Sequence, residues 1–250
     1  MLVDSHCHIH SNEYELNADE VIEAANAANV TKLIVVGTDM PDSKRAVKFA
    51  KSRENIWASV GLHPHDAKLG QVAYEELAKL VKEDVVAIGE CGLDYYYNHS
   101  SKEDQAAAFR FQLALAQEHD LPMIFHVRDA FKDFWPIVDE YPSVRGVVHS
   151  FTADQKEMEE ALQRNLYIGL NGIMTFSKGP GQIEMAKTVP LKSLLLETDA
   201  PFLTPAPFRG KINQPKQILV IAKFLSDLRN ESLEELSNAS TKNAEKLFSI

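Results

Sequence analysis

Histidine and acidic residues recur in this chain at positions from which they could ligate metal. In Asp4-Ser5-His6-Cys7-His8 the two histidines are two residues apart, so on a β-strand both imidazoles leave the same face. Neutral imidazole suits zinc, copper, iron or nickel, and two such groups supply half of a four-ligand site. A pair of surface histidines at this spacing also arises by accident, so the rest of the donor set matters. Glu90, His126, His149 and Asp199 each fall at or just past the end of a short apolar run. Taken singly, each reads more readily as a polar strand terminator. Taken together, six nitrogen and oxygen donors exceed the about three protein ligands that one catalytic metal with an open position uses. The expectation is a centre of two divalent ions, roughly 3.5–4 Å apart as in two-metal hydrolases. Glu90 is the expected bridge, with His6 and His8 on one ion and His126 and His149 on the other. Asp199 is expected to reach the ion held by His6 and His8 and to take a proton from the attacking water; its alternative role is that of a plain ligand.

These residues need elements that bring them to one place. Short β-rich runs alternate with longer amphipathic stretches from residue 2 to residue 199, the pattern of parallel strands joined by crossover helices. Eight strands are predicted: Leu2 to His6, Lys32 to Val36, Trp57 to Gly61, Val85 to Gly89, Met123 to Phe125, Gly146 to His149, Leu166 to Leu170 and Leu194 to Glu197. Helical patterns lie between them, among them Lys102 to His119 and Gln182 to Lys187, and two more follow the last strand near Pro215 to Arg229 and Leu233 to Leu247. Eight such units fit an α/β protein of the TIM (β/α)8 barrel class, a single domain over residues 1–250 with extra C-terminal helices. In that fold the C-terminal strand ends carry the active site, which is where the six donors fall. There is no GxGxxG after the first strand and no Walker A motif, which argues against a nucleotide-binding doubly wound sheet.

Composition narrows the function further. The 250 residues carry 36 acidic and 26 basic side chains, a formal net charge of −10, so a broad cationic footprint for nucleic acid is not expected. The apolar runs are far shorter than the roughly 20 residues that cross a bilayer. With two cysteines, Cys7 and Cys91, and no cleavable leader pattern, the expectation is a reduced cytoplasmic protein with no membrane contact and no obligate protein partner.

Several motifs in register closely resemble the TatD family of metal-dependent deoxyribonucleases. They are Asp4-Ser5-His6-Cys7-His8, Gly61-Leu62-His63-Pro64, Ile88-Gly89-Glu90-Cys91-Gly92-Leu93-Asp94, His126-Val127-Arg128, His149-Ser150-Phe151-Thr152, Glu197-Thr198-Asp199-Ala200-Pro201 and the late Arg209-Gly210-Lys211-Ile212-Asn213-Gln214-Pro215. The resemblance spans nearly the whole chain. It implies an amidohydrolase-like barrel that cleaves DNA phosphodiester bonds with divalent metal, often as a 3′ to 5′ exonuclease acting on strand ends. It carries over the same six ligands, and it implies that His63 and Arg128 lie near the substrate phosphate and that Glu197 is a carboxylate behind the ligands. Departures are slight: Ala153-Asp154 stands where a glycine often follows, and Cys7 separates the two histidines.

Other residues carry weaker expectations. Arg209 and Lys211 flank Gly210 and could grip a phosphate, although exposed loop charges are commonly just solvated. Among Tyr95, Tyr96 and Tyr97 one ring could stack on a terminal base, or the three could pack under their loop. His10, His65, His99 and His119 read as ordinary surface or loop histidines. The competing functions are a metal amidohydrolase acting on a small amide, lactone or phosphotriester, a structural metal site on a binding protein, and removal of a D-amino acid from mischarged tRNA. The commonest binuclear amidohydrolase uses a carboxylated lysine at the fourth strand, where this chain has Glu90. A closed structural site fits two carboxylates poorly. Imidazole-rich ligation favours zinc, iron or manganese, whereas the resemblance points to magnesium or manganese.

Overall fold

The structure is a computed structural model that describes residues 1–250. In chain order the first elements are β1 (Leu2–Cys7), α1 (Ala18–Ala27), β2 (Val30–Val36), α2 (Met40–Lys51), β3 (Ile56–Val60), α3 (Gly70–Leu80), β4 (Ala87–Asp94) and α4 (Lys102–His119). They are followed by β5 (Met123–Arg128), α5 (Phe131–Asp139), β6 (Gly146–Val148), α6 (Gln155–Gln163), β7 (Tyr167–Leu170), α7 (Pro180–Thr188), β8 (Leu194–Leu196), α8 (Ile218–Arg229) and α9 (Leu233–Phe248). Sheet order is chain order, β1 to β8. Eight strands in that order, each followed by a helix, make the α/β barrel class expected from the sequence.

Two compact units divide the chain, one formed by residues 1–35 with 150–250 and the other by residues 36–149. In the second, β3, β4, β5 and β6 pair in parallel, one after the next. Its core packs Phe109, Phe125 and Phe134, with ring centroids 5.2–5.8 Å apart. In the first, β1 pairs with β2 and β7 with β8, again in parallel. A further parallel bridge joins Cys7 to Ala200.

Sequence sets the ends of these elements by local hydrogen bonding. Asn17 caps α1 through the N–H groups of Asp19 and Glu20, Asp39 caps α2 through Asp42, and Ser101 caps α4 through Asp104. Each supplies an oxygen to backbone donors that have no partner inside the helix. α4 stops at Asp120, which adopts a left-handed conformation (φ 51°). β1, β4, β6 and β8 are buried along their whole length; β6 and β8 therefore read as apolar runs and not as alternations, whereas β1 and β4 bury the polar side chains Asp4, His6, Glu90 and Asp94 among apolar ones.

Strand β4 departs from expectation. It continues five residues beyond Gly89, through Glu90 to Asp94, and β5 continues through His126 to Arg128, with Gly92 opposite His126 and Asp94 opposite Arg128. Glycines usually punctuate a strand, but here they are required inside one. A Cβ on Gly89 would meet the Ile124 backbone, one on Gly92 would meet the His126 carbonyl, and both have positive φ, 146° and 143°. The close approach of β4 to β5 therefore selects glycine on both sides of Glu90. Smaller shifts occur elsewhere: Pro215–Gln217 forms a 3₁₀ turn ahead of α8, and α7 begins at Pro180.

Candidate metal centre

The first cluster is built on the junction of β1 with the segment after β8. Asp199 N–H donates to the His6 carbonyl (2.9 Å) and His8 N–H to the Ala200 carbonyl (2.7 Å), so the backbone fixes both histidines against Asp199. Beneath them the Asp4 carboxylate accepts the Thr198 N–H (2.9 Å), the Thr198 hydroxyl (2.5 Å) and the His6 N–H (3.3 Å). Burial pushes the Asp4 carboxyl up to about 8, against the pull of those hydrogen bonds. Asp199 Oδ1 lies 3.3 Å from His8 Nε2 and 3.6 Å from His6 Nε2, and the two Nε2 atoms are 3.0 Å apart. Two imidazole lone pairs cannot face each other at that distance without a proton or a cation between them.

In the second unit a single oxygen is the hub. Glu90 Oε1 lies 2.7 Å from His126 Nδ1, 3.5 Å from His149 Nε2 and 3.6 Å from His63 Nε2. His126 stands on β5, His149 one residue past β6, and His63 caps the 3₁₀ turn that follows β3, accepting the His65 N–H at Nδ1 (3.2 Å). The donor atoms of His63, Glu90 and His126 all lie within 4.8 Å of one another. One carboxylate oxygen ringed by three imidazole nitrogens suits a borderline divalent cation.

The other nitrogen of His126, Nε2, is 3.0 Å from Asp94 Oδ2. Asp94 is 1% exposed. Its Oδ2 also lies 3.2 Å from His65 Nε2, while its Oδ1 accepts the N–H groups of Tyr96 (2.9 Å) and Tyr97 (3.0 Å). Burial alone would raise the Asp94 carboxyl, but the His126 and tyrosine hydrogen bonds outweigh it and hold it well below the usual carboxylate range. Burial likewise opposes the charged form of His126, yet the hydrogen bonds to Asp94 and Glu90 leave its pKa raised. His63 has no such compensation: burial first, then the neighbouring His126, push it down. A carboxylate on the far nitrogen of a ligating histidine fixes which nitrogen is left for a metal; on His126 Asp94 would leave Nδ1, the nitrogen that faces Glu90.

Within its unit, then, the structure brings together His6, His8 and Asp199, and in the other Glu90, His126 and His149, with His63 added to the latter. Arg128 is exposed, its guanidinium stacked 3.9 Å above the Tyr96 ring. Arg209 lies over the Phe176 ring (3.8 Å) and donates to the Thr204 carbonyl (3.1 Å). Glu197 Oε1 accepts the Ser150 N–H (2.5 Å). Asp94 was not singled out by sequence reasoning, though the signal existed: it lies four residues after Glu90 on one strand, an even spacing that places both carboxylates on the same face. His10 and His65 are not ordinary surface histidines. His10 is buried, and His65 is half-buried against Asp94.

A family model described as TatD related DNase matches residues 3–249. The chain belongs to the TatD family. Among TatD relatives, the uncharacterized metal-dependent hydrolase YabD of Bacillus subtilis is 40% identical over 256 residues, covering all of both chains. The 3'-5' ssDNA/RNA exonuclease TatD of Citrobacter rodentium is 36% identical over 251 residues, 96% of this chain and 95% of that one. The crystal structure of YjjV, a TatD homologue from Escherichia coli, superposes with a TM-score of 0.93 at 30% identity, covering 100% of this chain and 98% of that one. The protein is therefore a metal-dependent hydrolase of the TatD family, with the barrel fold of that family. No helix is long and apolar enough to cross a membrane.

Proposed function

We propose that this TatD protein hydrolyses phosphodiester bonds of nucleic acid, removing nucleotides from a strand end in the 3′ to 5′ direction, with single-stranded DNA as the first substrate to test. The observation that carries the reading is the pair of clusters, each of imidazole nitrogens on one carboxylate oxygen, Asp199 in one and Glu90 in the other. Two such clusters ask for two cations, and two-metal chemistry serves phosphodiester cleavage in phosphatases and nucleases. The name of the Citrobacter rodentium relative supports the substrate class.

In this reading His6, His8, Glu90, His126, His149 and Asp199 would hold two divalent ions within one working domain of residues 1–250. The ions are magnesium, manganese or zinc. When bound, they supply electrophilic stabilisation of the phosphate and lower the pKa of water toward neutrality. The protein's own groups do the rest. Asp199 accepts the proton of the attacking water, Asp94 holds the His126 ring, and His63, Arg128 and Arg209 contact the phosphate or its flanking residues. Both cysteines are buried and unpaired, in keeping with a reducing cytoplasmic setting.

The test is an assay of chelator-treated protein on end-labelled single-stranded DNA and RNA and on aryl esters, an amide panel and aminoacyl-tRNA, with magnesium, manganese and zinc restored separately. Stepwise shortening from the 3′ end under one of these metals is expected. Turnover of an ester or amide with intact nucleic acid would overturn the reading.

A further inference from the structure

We propose that Tyr96, backed by Arg128, is a stacking platform for the unpaired terminal base of the nucleic-acid strand being cleaved. The inference rests on the hydrolase reading above and adds to it a base-binding site.

The three tyrosines after β4 have different environments. Tyr95 is committed to protein contacts: Lys102 Nζ lies 3.9 Å from its ring centroid, and its hydroxyl donates to Asp133 (3.0 Å). Tyr97, 49% exposed, has His65 edge-on at 5.3 Å and His99 stacked at 5.8 Å. Tyr96 is 56% exposed, with the Arg128 guanidinium over its ring (3.9 Å, against 4.8 Å for the Tyr97 ring) and the edge of Tyr97 beside it (4.8 Å, 83°). More than half of the residue is exposed, which leaves surface for a further ring to cover. Arg128 pairs with no carboxylate, in a chain with a net charge of −10, and so retains its charge for a polyanion. A planar cation behind an aromatic ring is the combination that unpaired bases recognise without regard to sequence.

Position makes the platform useful. The N–H groups of Tyr96 and Tyr97 both donate to Asp94 Oδ1, and Asp94 Oδ2 is bonded to His126 Nε2. Arg128 is opposite Asp94 in the β4–β5 register and two residues beyond His126. One buried carboxylate thus holds the loop in register with a ligand of the hydrolytic centre. A ring fixed in advance loses little entropy when a base settles on it.

The experiment uses chelator-treated protein, so that binding is read without cutting, and a short single strand with 2-aminopurine as its 3′-terminal base. An identical strand lacking that base is compared with it by anisotropy. The wild type should quench 2-aminopurine and bind the base-bearing strand about 10-fold more tightly, within the range measured for single base–aromatic stacks. Tyr96→Leu should lose both effects, and Tyr96→Phe should retain them. Quenching and base preference that survive in Tyr96→Leu, with an unchanged melting curve, would overturn the platform. Metal-loaded wild type run on both strands separates the two levels. If it cuts both equally and 2-aminopurine is never quenched, only the platform falls. If it cuts neither, the hydrolase reading falls and the platform with it.

Discussion

Asp94→Asn should weaken metal binding far more than its burial of one carboxylate suggests. The substitution is isosteric, and Oδ1 can still accept the Tyr96 and Tyr97 N–H groups, so the loop after β4 keeps its anchor. What changes is the atom 3.0 Å from His126 Nε2. A carboxylate oxygen there accepts a hydrogen bond from Nε2–H, so that a cation arriving beside Glu90, 2.7 Å from Nδ1, would displace the Nδ1 proton and take its lone pair. An amide NH₂ in its place donates, which turns Nε2 into an acceptor and moves the ring proton to Nδ1, where a cation would have to sit. Carboxylates behind ligating histidines are worth about 10- to 100-fold in metal affinity, equivalent to roughly 1.4–2.7 kcal/mol. The assay is calorimetric titration of chelator-treated protein with manganese and with zinc, beside turnover at rising metal concentration. Weaker binding with kcat largely restored at saturating metal is expected. His65→Ala removes another partner of Asp94 Oδ2 without touching the His126 bond, and should change affinity by less than about 3-fold on the scale of a lost exposed contact. Wild-type affinity in Asp94→Asn would refute the tautomer argument.

Other outcomes follow from the same geometry. Glu90→Gln keeps the shape of the hub but removes its charge from three imidazoles, so activity should fall by more than about 100-fold, the scale of losing a preorganised electrostatic group, while circular dichroism is unchanged; full activity would rule out the bridging role. Asp199→Asn should cut kcat by about 10² to 10⁴ if Asp199 is the general base, and recovery of activity at raised metal would mark it as a ligand alone. Because the net charge is −10, few phosphates should be neutralised by side chains, so the slope of log K against log salt on single strands should stay shallower than about 3 at roughly 0.7 per phosphate. A slope steeper than about 6 on that relation, or efficient cutting of circular single strands, would reveal an extended binding surface.

How much of this was legible in the sequence depended on the range of the physics. Helix α4 was legible to the residue because both of its signals are local: the Ser101 cap at one end and the turn at Asp120 at the other. β8 reads as Leu194-Leu195-Leu196 because burial on both faces leaves no polar position to obscure it. The end of β4 was not legible, because Gly89 and Gly92 carry the usual mark of a turn and only the closeness of β5 shows that they belong inside a strand. That error had a consequence for the site: with β4 ending at Gly89, Glu90 reads as the residue just past a strand and Asp94 as a loop acid, so the even spacing between them carries no meaning. His65 was misplaced for a related reason. Its partner Asp94 is 29 residues away, and whether a histidine faces solvent or a carboxylate is decided by such a partner and not by its neighbours in the chain. Ligand types at strand ends can therefore be read from sequence, since strand periodicity is local. The carboxylate that orients a histidine ring cannot be read until strand pairing is known, and for His126 that pairing is the Gly92 and Asp94 register of β4 against β5.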